Sequence, residues 1–343
     1  MERITKQEGY QLLTNVPLLE LGQQADELRR AVGNRDGIVT FVIDRNINYT
    51  NICKNKCRFC AFWKDEDNDQ AYVLGREDLY KKIEETLELG GTQILIQGGL
   101  YRKLNLDFFV DLFRDIKRRY DIHIHGLSPP EVSFLAELSG KTIAEVLTAL
   151  KDAGLSSIPG GGAEILSDRV RKKVSPEKIG AAQWLEVMEE AHRLGMKTTA
   201  TMMFGIGEAT EDIIEHLDAL RALQDRTHGF TAFIPWTFQP GNTEVPIQPA
   251  TGVEYLRVLA LSRIYLDNFP HVQASWVTQG LKMAEVALRF GADDFGSTMI
   301  EENVVASTGV SYRVSKEEII RAIKNAGFLP AQRNTYYEIL KVY

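Results

Sequence analysis

The sequence predicts an α/β fold, a (β/α)8 barrel of the TIM type preceded by a helical extension. Three observations predict it. Eight short apolar or β-branched segments alternate with helical periods over about 250 residues, and strands alternating with helices favour a parallel sheet. Eight such units favour a closed barrel over an open sheet. Glycine and polar clusters follow the strands (QGG, HGLSPPE, PGGGAE, GIGE and DDFGST), where barrels of this kind carry their functional loops. The expected organisation is a helical N-terminal extension over 1–36, a barrel over 37–310, and a C-terminal extension over 311–343 packed on it.

The elements follow in order. Residues 5–14 and 17–32 have the apolar spacing of amphipathic helices. Residues 37–43 are apolar and β-branched, and 45–50 (RNINYT) are extended in character and open the barrel. A helix over 76–89 places Leu79, Ile83 and Leu87 on one face, and strand 92–97 (TQILIQ) ends at two glycines. The same reading gives helix 105–119, strand 121–125, helices 129–138 and 141–153, and strand 156–159. Helix 177–194, strand 197–204, helix 209–225 and strand 230–236 come next. Helix 251–267, strand 272–277, helix 279–289 and a weak eighth strand over 293–297 complete the count. A helix over 315–326 and an extended or helical piece over 333–343 end the chain.

Composition narrows the function classes. The 343 residues are 44% hydrophobic and 25% charged with net charge −7, which argues against general nucleic-acid binding. No apolar run approaches the roughly 18 residues of a membrane span. The first 22 residues are charged and amphipathic without a signal-peptide core, so a cytoplasmic location is expected, with neither membrane nor nucleic acid as a partner.

The three cysteines are the sharpest feature. All fall within Cys53-x3-Cys57-x2-Cys60, on a loop after the first barrel strand. An odd, crowded set in a cytosolic chain points to metal or redox chemistry rather than disulfides. Three thiolates on a tight loop can each bind one iron of a cubane cluster. Ordinary [4Fe-4S] clusters carry four cysteine ligands. Without a fourth cysteine, one iron keeps an open position, which S-adenosyl-L-methionine can fill through its amino and carboxylate groups. The competing reading is zinc held by three Cys and one His. No histidine lies near the loop; the nearest are His123 and His125.

C-x3-C-x2-C resembles the signature of the radical S-adenosylmethionine superfamily, whose barrel this fold would be. The longer run NYTNICKNKCRFCAFW (48–63), with LIQGGL (95–100), SIPGGGAEIL (157–166), TATMMFG (199–205) and QDRTHGFTAFIPWTFQPGNT (224–243), resembles the branch of the menaquinone-futalosine enzymes and deazaflavin synthase subunits. Within that branch the chain is similar to the futalosine-cyclising group. The resemblance implies a [4Fe-4S] cluster on Cys53, Cys57 and Cys60, S-adenosyl-L-methionine, and dehypoxanthine futalosine as the small-molecule substrate. It implies hydrogen abstraction from the sugar and ring closure on the benzoate, in the futalosine route to menaquinone. Aminofutalosine synthase and a deazaflavin synthase subunit are the sister alternatives.

Residues at strand ends are the remaining candidates. Gln97, Gly98 and Gly99 would meet the methionine moiety, since glycine lets a backbone carbonyl approach closely. Glu164 would accept the ribose hydroxyls, with Lys178 or Arg169 near the carboxylate and Phe59 beside the cluster. Ser128 and Glu131 serve either the cofactor or a helix-capping box. Phe233, Trp236, Gln239, Trp276, Ser297, Thr298 and Glu301 are candidate substrate contacts. His125, Asp293 and Asp294 are candidate catalytic groups, an aspartate taking the proton lost on rearomatisation. Met202 and Met203 read as core. Lys54, Lys56, Arg58 and Lys64 form a basic cluster expected to dock an acidic electron donor, flavodoxin or ferredoxin.

Overall fold

A computed structural model describes residues 3–33 and 37–343. The described strands are β1 (Ile38–Val42), β2 (Asp44–Asn48), β3 (Gln93–Gln97), β4 (His123–Gly126), β5 (Ser157–Ile158), β6 (Lys197–Phe204), β7 (Phe230–Thr237), β8 (His271–Val272), β9 (Asp294–Ser297), β10 (Leu329–Arg333) and β11 (Ile339–Val342). Strands β2 to β8 form one parallel sheet in chain order. Helices between successive strands cover its outer face, giving a TIM-type α/β architecture.

Alternation along each strand builds the two faces. In β3, Ile94 and Ile96 are fully buried toward the helices, while Gln93, Leu95 and Gln97 face a central chamber. In β2, Asp44, Asn46 and Asn48 face the same chamber. The inner wall contributed by β2 and β3 is therefore largely polar, and the hydrophobic core lies between sheet and helices.

Several expectations need correction. The eighth strand does not join the seven-stranded sheet. Instead β9 pairs with β1 in a second sheet of order β11-β10-β1-β9. Single backbone bonds close the ring: Asp293 N–H donates to Val272 (3.0 Å), Ala274 N–H to Asp294 (2.9 Å) and Ile300 N–H to Asp44 (3.1 Å). The seventh strand is two residues long, not six. The chain then turns into the short helix Trp276–Gln279, after Ser275 N–H binds the Tyr255 hydroxyl at 2.7 Å. The helix expected over 177–194 begins later, as Ala181–Arg193, and a separate helix Asp168–Val174 precedes it. Pro176 and Gly180 lie between the two and interrupt the helical pattern.

The helices Lys6–Asn15 and Leu18–Gly33 lie against Thr210–Thr227 and Gly252–Tyr265. Gly9 fits because a Cβ there would stand 2.9 Å from the Tyr265 ring. At the other end of the chain, β10 lies parallel to β1 and β11 folds back antiparallel. The segment joining them forms a floor under the chamber. Arg333 pairs with Asp294 at 2.6 Å, and the Thr335 hydroxyl donates to Gln93 at 2.5 Å. Tyr336 meets His123 edge-on, and Tyr337 stacks on His271 with ring centroids 3.7 Å apart. These partners stand at or beside the N-terminal ends of β9, β3, β4 and β8.

Candidate functional site

The chamber has a volume of about 410 Å³ and opens at the C-terminal ends of the strands. Cys53, Cys57 and Cys60 all line it, on the loop that leaves β2. Backbone bonds hold that loop: Cys53 N–H donates to Lys64, Lys54 N–H to Leu100, Arg58 N–H to Val174, and Cys60 N–H to Cys57. The glycines after β3 let it settle. A Cβ on Gly99 would come within 2.1 Å of the Ile52 carbonyl oxygen, and one on Gly98 within 2.8 Å of the Tyr49 ring. Both glycines line the chamber, and their steric necessity lies in seating the cysteine loop.

Glu131 ties the same corner together. Its carboxylate accepts from the Tyr49 hydroxyl (2.6 Å), Gly98 N–H (3.0 Å) and Ser128 N–H (2.7 Å), and from the Ser128 hydroxyl. Ser128 and Glu131 thus form the capping box of helix Pro129–Ser139 and also line the chamber.

The donor set fits an iron–sulfur cluster. Burial pushes the Cys57 thiol up to about 12 and raises that of Cys60, so both need a positive partner to ionise. Lys178 acts favourably on both, and backbone N–H groups of Phe62 and Trp63 point at the Cys60 sulfur. Among the described residues no three His, Cys, Asp or Glu side chains converge on a single-ion site. Three thiols on one loop, with no fourth cysteine in the chain, suit a cubane cluster with one open iron over a closed tetrahedral zinc site.

The adenosylmethionine candidates gather beside the cysteines. Gln97, Gly98, Gly99, Ser128, Phe59, Glu164 and Lys178 all line the chamber. Lys178 donates to Glu164 Oε1 at 2.9 Å and stands 5.2 Å from the Phe59 ring centroid. Burial works against the Lys178 charge, yet Glu164 and Cys57 raise its pKa. Glu164 sits in a left-handed conformation, φ 42°, and its Oε2 is buried without a hydrogen bond. The Arg171 guanidinium stands 3.7 Å from that oxygen, which leaves its lone pairs able to accept from a ligand diol. Arg169 stands apart, paired with Asp212.

The substrate-side candidates divide. Trp236, Trp276 and Ser297 line the chamber, with the Trp276 indole N–H donating to Ser297 O at 2.9 Å. Phe233 does not: its ring faces the helix layer near His216 and Phe269. Gln239 is tied to Thr237, and Thr298 hydrogen-bonds through its backbone to Val42. Glu301 pairs with Lys82 at 2.5 Å. Met202 and Met203 are buried in the core.

His125 lines the chamber, but the two aspartates stand at the start of β9, not after its end. Asp293 pairs with Arg263 (2.5 Å) and His271 (2.7 Å). Asp294 is fully buried and accepts from Arg333 and from the Thr40 hydroxyl (2.6 Å). Both serve the floor, because DDFGST spans the strand itself instead of trailing it.

Other lining residues went unnoticed in the sequence: Asp44, Asn46, Asn48, Gln93, Thr199, Thr201 and Gln273. For Gln93 the signal was alternation, since it and Gln97 sit on the opposite face of β3 from Ile94 and Ile96. Arg333, Thr335 and Tyr337 also line the chamber, and no local pattern announces that.

The Radical SAM superfamily model matches residues 47–220, and the model described as CofH/MqnC C-terminal region matches 227–343. A protein named cyclic dehypoxanthine futalosine synthase from Halalkalibacterium halodurans is 44% identical, covering 100% of this chain and 93% of its own. One of the same name from Streptomyces coelicolor is 44% identical over 99% of this chain and 86% of its own. A 5-amino-6-(D-ribitylamino)uracil–L-tyrosine 4-hydroxyphenyl transferase from Methanocaldococcus jannaschii is 42% identical over 99% of this chain and 98% of its own. Among solved structures, methylornithine synthase superposes with TM-score 0.75 at 18% identity, over 96% of this chain and 95% of its own, and shows the same fold. The three-cysteine loop at the mouth of a TIM-type barrel and these matches agree: the chain belongs to the radical S-adenosylmethionine superfamily and is an enzyme that works with a [4Fe-4S] cluster and S-adenosyl-L-methionine.

Proposed function

We propose that the chain converts dehypoxanthine futalosine to cyclic dehypoxanthine futalosine in the futalosine pathway of menaquinone biosynthesis. The observation that carries this reading is one chamber of about 410 Å³ that runs from the three cysteines, past the adenosylmethionine candidates, to the rings of Trp236 and Trp276. The two futalosine-synthase relatives at 44% identity support it. Cluster and adenosylmethionine together supply the means to abstract a hydrogen atom from carbon. The chain's own residues hold and orient. Cys53, Cys57 and Cys60 hold the cluster, and Glu164, Lys178, Gln97, Gly98, Gly99, Ser128 and Phe59 surround the adenosylmethionine. Trp236 and Trp276 offer flat faces to the benzoate. One sugar C–H bond breaks, one C–C bond forms to the ring, and one ring C–H bond then breaks with loss of a proton and an electron.

The second reading is tyrosine-dependent transfer to a ribitylaminouracil, favoured by the full-length transferase relative at 42% identity. Anaerobic incubation with reductant and adenosylmethionine separates the two. Cyclisation gives a product two hydrogens lighter than dehypoxanthine futalosine. Turnover only with L-tyrosine and 5-amino-6-(D-ribitylamino)uracil overturns it.

We also place the chain in the cytoplasm, where thiols stay reduced for cluster assembly. No helix among the described residues is long and apolar enough to cross a membrane. A flavodoxin or ferredoxin is the proposed electron donor, docking on the basic face by the cysteines. There Lys54 pairs with Glu137 and Lys56 with Asp65, while the Arg58 guanidinium meets only the Lys173 carbonyl. Arg58 and Lys64, whose ammonium meets only the Ala61 and Trp63 carbonyls, are the charges of this cluster left to meet an acidic partner.

A further inference from the structure

The Ser157 hydroxyl lies between two imidazoles, 2.6 Å from His125 Nδ1 and 2.7 Å from His123 Nε2. The register of the barrel produces this contact. His123 and His125 are two apart on β4 and share its inner face, and Ser157 of β5 stands directly opposite His125. His125 lines the chamber and uses Nδ1 for Ser157, which leaves Nε2 to face a ligand. Carboxylates lining the same chamber are already engaged, Glu164 by the Lys178 and Arg171 cations. Asp44 accepts from Gln93 and Ser297, Glu131 from Tyr49, Ser128 and Gly98, and Glu302 from the backbone N–H groups of Val304, Val305 and Ala306. At the far end His123 is only half-buried and meets Tyr336, which is 48% exposed.

We propose that His125 takes the proton released when the substrate ring rearomatises, and that Ser157 and His123 relay it to solvent at the floor of the barrel. The proposal rests on the cyclisation reading. In the step, the ring C–H bond breaks and its proton goes to His125 Nε2. The electron goes to a one-electron acceptor of the iron–sulfur class. The His125 Nδ1 proton moves to the Ser157 oxygen, the Ser157 proton to His123 Nε2, and the His123 Nδ1 proton leaves. The chain of bonds ends reversed, with His123 donating to Ser157 and Ser157 to His125. Burial is the main cause that lowers the pKa of His125 to about 3 and of His123 to about 4. Both rings are therefore neutral near pH 7, each with one N–H and one lone pair, so they pass a proton without storing charge.

The test compares Ser157→Ala, Ser157→Thr and His123→Ala with wild type, reading cyclised product and 5′-deoxyadenosine together. Ser157→Ala should lower product at least about tenfold, within the usual range for losing acid–base assistance, while 5′-deoxyadenosine continues to form. The product-to-deoxyadenosine ratio then falls by the same factor. Ser157→Thr, which keeps the hydroxyl, should restore the ratio, and added imidazole should raise it in His123→Ala. In the cluster-free chain, nitrogen NMR should show both histidine rings shifting on Ser157→Ala. If Ser157→Ala keeps the wild-type ratio, the relay is wrong while the cyclase reading stands. If wild type makes no cyclised product, the cyclase reading falls and takes the relay with it.

Discussion

The two ends of the barrel are made from the same strands but finished in opposite ways. At the mouth, polar atoms are buried and unsatisfied: Glu164 Oε2 and Asn55 Oδ1 lack hydrogen bonds, and burial weighs against the Cys57 and Cys60 thiolates. At the floor, buried charges are matched: Arg333 with Asp294, and Asp293 with both Arg263 and His271. Buried polar groups are costly when unpaired. The charges of the floor are matched within the protein, whereas the mouth keeps buried polar atoms free to meet a ligand.

Four substitutions test this division, from the largest effect to the smallest. Cys57→Ala should abolish turnover and cluster iron, measured by product assay and iron content. Its unfolding midpoint without cluster should stay within about 3 °C of wild type. A collapse of the cluster-free fold would show that the mouth also carries the structure. Arg333→Met leaves Asp294 buried and unpaired, and should cost about 3–5 kcal/mol in urea unfolding. Unchanged stability would mean the floor is not the structural end.

Asp293→Asn comes third. Burial alone would raise the Asp293 pKa, but Arg263 and His271 outweigh it and hold the carboxylate below its usual range. A depressed folded-state pKa stabilises above the unfolded value near 4 and loses that contribution as pH falls below it. Asp293→Asn should lower stability at pH 7 by on the order of 2 kcal/mol and flatten its decline between about pH 5 and 2. A decline as steep as wild type would assign the acid sensitivity to other groups. Smallest is Glu164→Gln at the mouth, expected to weaken adenosylmethionine binding about tenfold, as for loss of a charged hydrogen bond. Unaltered affinity in calorimetry with the loaded enzyme would remove Glu164 from the cofactor site.

Legibility from sequence followed the same division. The mouth was readable because its chemistry is local: three cysteines in eight residues, glycines at strand ends, and the capping pair Ser128 and Glu131. Strands β3, β6 and β7 were readable because their apolar or β-branched runs are bounded by turns. The floor was not. It depends on β10 meeting β1 across some 290 residues of chain, a pairing no window can see. Asp293 and Asp294 were misplaced for that reason, since their partners Arg263 and Arg333 are distant in sequence. Phe233 was misread by parity: on β7 it stands one residue from Ile234, which faces the chamber, so its own side chain must face the helices.

The floor also has a place in time. Translation proceeds from the N-terminus at about 5–20 residues per second, so the cysteine loop leaves the ribosome roughly a quarter of a minute to a minute before Arg333 and Tyr337 exist. During that interval the nascent barrel has its metal-binding thiols but no bottom. Its inner wall of histidines, asparagines and glutamines is then open to water from below. Arg333, Thr335 and Tyr337 convert that open tube into a vessel.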